Sequence, residues 1–191
     1  KEEERGSTKY LNIDNANQQP IFWERTKKNP DYIVVHLKEK LLPNQKTSFT
    51  LSYTVKIPSD KFTKYGYADN GALQLKDWYL TPARYENHTF LENSNNNLDD
   101  ITNAICDLDI NLKIPASLEV TTDLSSAKSQ VENGFITYKL TGKNRSIISL
   151  VIEPKSNFMN YKNASLEVLT DLKDNKLNEI QKAIAIDRIV T

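Results

Sequence analysis

The chain has 191 residues, 38% hydrophobic and 26% charged, enough for an apolar core inside a wet surface. Its 25 Lys and Arg balance its 25 Asp and Glu, which excludes the basic surplus of a nucleic-acid binder and the charge run of a polybasic membrane anchor. The single cysteine rules out an intrachain disulfide, and no stretch reaches the ~18 apolar residues of a spanning helix.

Residues 1 to 30 are weakly patterned, and no element is assigned to their first stretch. From Tyr32 to Leu37 the residues Ile33, Val35 and Leu37 alternate inward, with His36 on the outward face. Pro43-Asn44-Gln45 then supplies turn chemistry. In Thr47 to Ile57, Phe49, Leu51, Tyr53, Val55 and Ile57 fall on one face and Ser48, Thr50, Ser52, Thr54 and Lys56 on the other, the signature of a half-buried strand. The two runs read as neighbouring antiparallel strands. Gly66 to Tyr85 is rich in aromatics, and Trp78 and Tyr79 in it could pack at the end of a sheet or present a binding face. Asn93 to Asp100 is polar and turn-rich, an exposed loop.

Downstream, Leu108, Ile110, Leu112 and Ile114 alternate with Asp107, Asp109, Asn111 and Lys113 until Pro115. Cys106, at the head of this run, reads as a buried structural thiol. Ile136, Tyr138 and Leu140 alternate next, closed by Thr141-Gly142-Lys143-Asn144. Ile147 to Ile152 is apolar on both faces, as a central covered strand is, and Leu166 and Val168 mark a last strand. From Asp174 the period changes: Leu177, Ile180, Ala183 and Ile184 recur at helical spacing. The fold expected is mostly β, a large curved antiparallel sheet or saddle-like β-sandwich with a C-terminal amphipathic helix. A domain over 1–170 is followed by the first helix of another over 171–191. The chain reads as a piece of a longer protein.

Chemistry is sparse. His36 and His88 are the only histidines, no HExxH motif occurs, and there is no Cys pair for zinc. No GxSxG elbow and no glycine-rich phosphate loop is present. Asp99-Asp100 with Asn95 to Asn97 could offer oxygen ligands to calcium, without EF-hand spacing. Asp107 and Asp109 share a strand face about 7 Å apart, a separation glycosidase carboxylates use, on what reads as a plain solvent face. A hydrolase built on His88 with Asp99 or Asp100 would need those side chains to meet. Asn87, Asn144 and Asn163 each open an N-x-Ser/Thr sequon.

In Trp78-Tyr79-Leu80-Thr81-Pro82-Ala83-Arg84-Tyr85 an aromatic tract runs into Pro and Tyr. It is followed by an acidic strand into Pro (Asp107 to Pro115) and a strand into Thr (Leu118-Glu119-Val120-Thr121-Thr122). A hairpin from Gly134 to Leu140 and Ile147 to Ile152 comes next, then a strand at Leu166 to Leu169 and a helix at Lys176 to Val190. This order resembles the N-terminal β domain of aminopeptidase N-like zinc metallopeptidases, the gluzincins. The resemblance covers roughly residues 30 to 191. It implies a non-catalytic scaffold that packs on a downstream catalytic domain of the same chain and borders a peptide-substrate cleft. Zinc, its ligands and the catalytic glutamate are expected in that downstream domain, so this chain would hold no cofactor and no catalytic residue. The family lends one glutamine to the pocket for the substrate's amino terminus. Gln74 lies in the corresponding tract, and the resemblance implies that role for it. The alternative from another class is a β-sandwich module binding carbohydrate or protein through Trp78 and Tyr79.

Overall fold

Alternation with period two commits most of this chain to strands, because successive side chains leave a strand on opposite faces and one face can then be apolar. The computed structural model describes residues 4–27, 31–92, 103–162 and 167–170, together with Asn178, Gln181 and Ile184. The protein is mostly β, and its several antiparallel sheets remain open. Two compact units are formed, Lys1–Thr63 and Lys64–Thr191. The boundary expected near residue 171 falls on residues outside those described.

In the first unit, β1 (Ser7–Asn15), β2 (Trp23–Arg25), β3 (Ile33–Val35) and β4 (Phe49–Lys56) make two antiparallel pairs, β1 with β4 and β2 with β3. This corrects the expected neighbours. The strands on either side of Pro43 do not pair with each other; each pairs with a strand from the weakly patterned first stretch. The turn between them is as its residues dictate. Gln45 N–H donates to Leu42 O at 3.0 Å across Pro43 and Asn44, and Asn44 takes the positive φ of 65° that the third turn position demands. The β1–β4 register shifts between Lys9 and Asn12, where Tyr10 and Leu11 face Tyr53 alone. Tyr10 absorbs this bulge with a φ of 54°, in the left-handed region. Ile13 is buried, whereas Phe49 and Leu51, on the apolar face of β4, are 38% and 37% exposed.

The second unit holds β5 (Gly66–Tyr67), β6 (Leu73–Leu75), β7 (Tyr85–Glu86), β8 (Thr89–Phe90), β9 (Cys106–Pro115), β10 (Glu119–Thr122), β11 (Ser125–Lys128), β12 (Phe135–Arg145), β13 (Leu150–Glu153), β14 (Met159–Lys162) and β15 (Glu167–Thr170). One sheet runs β10-β13-β6-β5 and another β11-β12-β9, while β7–β8 and β14–β15 are separate hairpins. Strand β13 is interior to its sheet, as its two apolar faces require. The inner faces of these two sheets and their links supply Leu75, Ile114, Leu124, Tyr138, Leu140, Ile148, Leu150 and Ile152, all buried. In β9 Leu108, Ile110 and Leu112 are half-buried and Asp107, Asp109, Asn111 and Lys113 exposed, as the alternation predicts.

Three local expectations are corrected. Strands β12 and β13 do not form a hairpin: β12 lies between β11 and β9, and β13 between β10 and β6. Strand β12 does not stop at Thr141. Gly142 still pairs with Leu108, Lys143 and Asn144 then form a bulge opposite Asp107, with Asn144 at φ 54°, and pairing resumes at Arg145. Cys106 is exposed, because it stands at the outer end of β9. Its thiol donates to Arg145 O at 3.6 Å. Where β12 begins, Asn133-Gly134 forms a tight two-residue turn with φ of 51° and 79°, and Glu132 and Phe135 exchange N–H···O bonds of 2.9 Å across it.

The helix expected over Lys176 to Val190 lies outside the described residues except at three positions. There Asn178 N–H donates to Gln181 Oε1 at 3.0 Å and Gln181 N–H to Asn178 Oδ1 at 2.9 Å.

Candidate functional site

Gln74 sits at the centre of β6, opposite Val151 of β13 on one side and Gly66 of β5 on the other. Its neighbours Leu73 and Leu75 turn toward the core, so the pleat sends Gln74 to the opposite, exposed face. Across that face the register continues from Gln74 through Val151 to Thr121 of β10, and the next row places Glu153 opposite Glu119.

The β13–β14 connection folds onto this row. Ser156 N–H donates to Glu119 Oε2 at 2.8 Å, Thr121 and Ser156 hydroxyls lie 3.0 Å apart, and Asn157 N–H donates to Glu153 Oε1 at 3.4 Å. Glu153 is 9% exposed. Both carboxylates therefore accept backbone N–H groups, and their visible work is to hold a loop on the sheet. The alternation of the sequence did not single out Glu119, Glu153 and Ser156. The usable signal was a glutamate ending a strand that is apolar on both faces, directly before Pro154.

The other candidates are dispersed. Asp107 and Asp109 do share the exposed face of β9, but Asp107 Oδ1 accepts Asn144 N–H at 3.0 Å inside the β12 bulge, and Asp109 stands 3.8 Å from Lys139 Nζ. Each serves its own sheet. His36 follows β3, with its Nε2 3.1 Å from Glu24 Oε1 and its ring 5.1 Å from that of Phe22. His88 belongs to the other unit, in the two-residue turn of the β7–β8 hairpin, where Asn87 and His88 have φ of 49° and 64°. Asp99, Asp100 and the Asn95 to Asn97 tract lie outside the described residues, as does the Asn163 sequon. Asn87 and Asn144 are exposed.

Trp78 and Tyr79 are both half-buried, and their rings meet edge to face at 68° with centroids 5.3 Å apart. The indole N–H of Trp78 is buried with no acceptor among the described residues.

Among the described residues no three His, Cys, Asp or Glu side chains gather in a way that could hold a metal ion. No helix among the described residues is long and apolar enough to cross a membrane. The chain matches no protein-family model, no curated protein and no solved structure.

Proposed function

We propose that the chain is a non-catalytic β scaffold of a zinc aminopeptidase-like protein, which packs against a following catalytic domain and borders its peptide cleft. The observation that supports this reading is the open apolar face of β4 in the first unit. Phe49 and Leu51 lie on it, flanked in the sequence by exposed Leu41 and Leu42 before the strand and Phe62 after it. Leaving such residues in water forfeits about 1.5–3 kcal/mol for each large side chain that could be buried, so a surface of this kind serves to cover or be covered. The ordered set of sequence elements that resembles the gluzincin N-terminal domain supplies the partner's identity. Hydrolase, peptidase and zinc chemistry belong to that partner. On this reading Gln74, exposed at the middle of its sheet, is the one residue placed to reach a substrate's amino terminus.

The gene itself tests the reading: an HExxH motif with a distant Glu should follow the segment encoding this chain. Mixed with that following segment as a separate polypeptide, the chain should form a complex that Phe49→Ser with Leu51→Ser weakens. The chain alone, supplied with zinc, should leave aminoacyl anilides intact. Zinc-dependent hydrolysis by the chain alone would overturn the proposal.

A further inference from the structure

Strand β9 is an edge. It pairs with β12 on one side, and among the described residues no strand pairs with it on the other, although it is ten residues long. Long open edges are templates for another strand, and proteins usually blunt them with charge, bulges or proline. Here the inner-facing residues Leu108, Ile110 and Leu112 are only half-buried, whereas Ile114 at the same face is fully buried. The core side of β9 is therefore left partly uncovered where the sheet stops.

The charges on its outer face are not scattered as a general deterrent. They are ordered, with Asp107 and Asp109 in the first half and Lys113 in the second. We infer that β9 pairs antiparallel with β9 of a second copy of this chain, about a two-fold axis at Ile110, joining two three-stranded sheets into one of six. In that register Asp107 faces Lys113 of the other copy, twice by symmetry, and Asp109 faces Asn111. On the inner face Leu108 meets Leu112 and Ile110 meets Ile110, so the half-buried row becomes continuous. Opposite charges and apolar pairs directly across an antiparallel ladder are the favourable combinations, and a two-fold contact is self-complementary in this sense.

The charge pattern also rejects the competitors. An axis at Asp109 sets Asp109 against itself. An axis at Asn111 brings Pro115, which has no N–H, into the ladder and asks Asp109 to share its Lys139 partner. A one-residue slip puts leucines opposite charges and turns one row to the wrong face. Parallel pairing in register sets Asp107 and Asp109 each against its own copy. The Ile110 axis leaves the existing contacts in place: Asp107 keeps its bond from Asn144 through Oδ1, which leaves Oδ2 for the partner, and Lys113, which lies 5.2 Å from the centroid of the Phe135 ring, has no carboxylate partner among the described residues.

The test is sedimentation equilibrium of the 191-residue chain carrying Cys106→Ser, through the micromolar range. A reversible dimer is expected. Lys113→Asp turns two attractive pairs into repulsive ones and should weaken dimerisation by about tenfold or more. A monomer at every concentration, or a dimer indifferent to Lys113→Asp, overturns the inference. Cross-linking gives a second readout at exposed positions. Copies with Asp109→Cys mixed with copies with Asn111→Cys should form an interchain disulfide that neither forms alone, since residue 109 faces 111 and not itself. Equal cross-linking in the unmixed samples overturns the register.

Discussion

Gly142 carries β12 past Leu124 with no space for a side chain. A Cβ there would lie 2.6 Å from Leu124 Cδ2 and 3.0 Å from Arg145 Cγ. Leu124 is buried and cannot swing into solvent without opening the core. Gly142→Ala should therefore lower stability by about 1–3 kcal/mol, read as a lower urea midpoint at unchanged slope; an unchanged midpoint would show that Leu124 repacks freely. Tyr10 poses the reverse case. It holds a left-handed φ of 54° with its side chain 85% exposed, so little apolar contact offsets the backbone cost. Relief of about 1–2 kcal/mol on Tyr10→Gly outweighs the roughly 0.5–1 kcal/mol that glycine adds to unfolded-chain entropy. The melting temperature of Tyr10→Gly should rise slightly, and a clear fall would mean that the tyrosine ring makes contacts worth more than the strain.

Among the elements, the link from β10 to β11 depends on Asp123. One carboxylate oxygen accepts Ser149 N–H at 2.9 Å, just ahead of β13, and the other pairs with Arg145 at the end of β12. One residue thus ties strands of the four-stranded and three-stranded sheets. Asp123→Ala should cost about 1–2 kcal/mol, while Arg145→Lys keeps the charge but loses the planar fork and should cost less; equal stability of wild type and Asp123→Ala in urea titrations would refute that role. The elements also show what the sequence could disclose. The alternation of Leu108, Ile110, Leu112 and Ile114 and the Pro43-Asn44 turn are local signals, and those elements formed where they pointed, whereas of the doubly apolar run from Ile147 only Leu150 to Ile152 entered a strand and Ile147 stands exposed. Pairing partners are non-local. Nothing in β3 or β4 tells that each joins a strand from the first 30 residues, and nothing in β12 or β13 tells that they part into different sheets. Thr141 to Asn144 has turn chemistry, and the fold spends it on a bulge because β12 still has Leu108 and Cys106 of β9 to meet. Of the described residues weighed for function, His36, His88, Asp107 and Asp109 are exposed as their polar faces and turns predict, whereas the exposure of Cys106 at the strand end was not legible. The Glu119–Ser156–Glu153 cluster was not legible either, because it joins a strand to a loop 37 residues away.

Across the whole molecule, burial is uneven. The second unit contributes Tyr138, Leu140, Leu150 and Ile152 to a core built by two sheets, whereas among the described residues of the first unit Ile13 is the buried apolar side chain of two-stranded pairs. A two-stranded sheet is marginal in water without a covering layer. Amide exchange should accordingly be slowest in β12 and β13 and faster in β1 and β4, as mass spectrometry of deuterated peptides would reveal. Equal protection of β1 and β13 would contradict this order. Leu140→Ala should cost about 2–5 kcal/mol, since Leu140 is fully enclosed. Phe49→Ala, at a face left 38% open, should cost less than half as much in the isolated chain.

The exposed thiol of Cys106 has a practical consequence. It is the chain's one cysteine and it stands at the end of β9, so oxidation in air can join copies only in pairs, and a non-reducing gel can show only two bands. Two copies paired along β9 about Ile110 would hold their thiols at opposite ends of the ladder, about 26 Å apart by strand rise. A disulfide spans Cα atoms no more than ~7 Å apart, so the covalent bond cannot form within an edge-paired dimer and can join only copies from different dimers. Storage under oxidising conditions would therefore link dimers end to end into longer chains, and a reducing agent would part them.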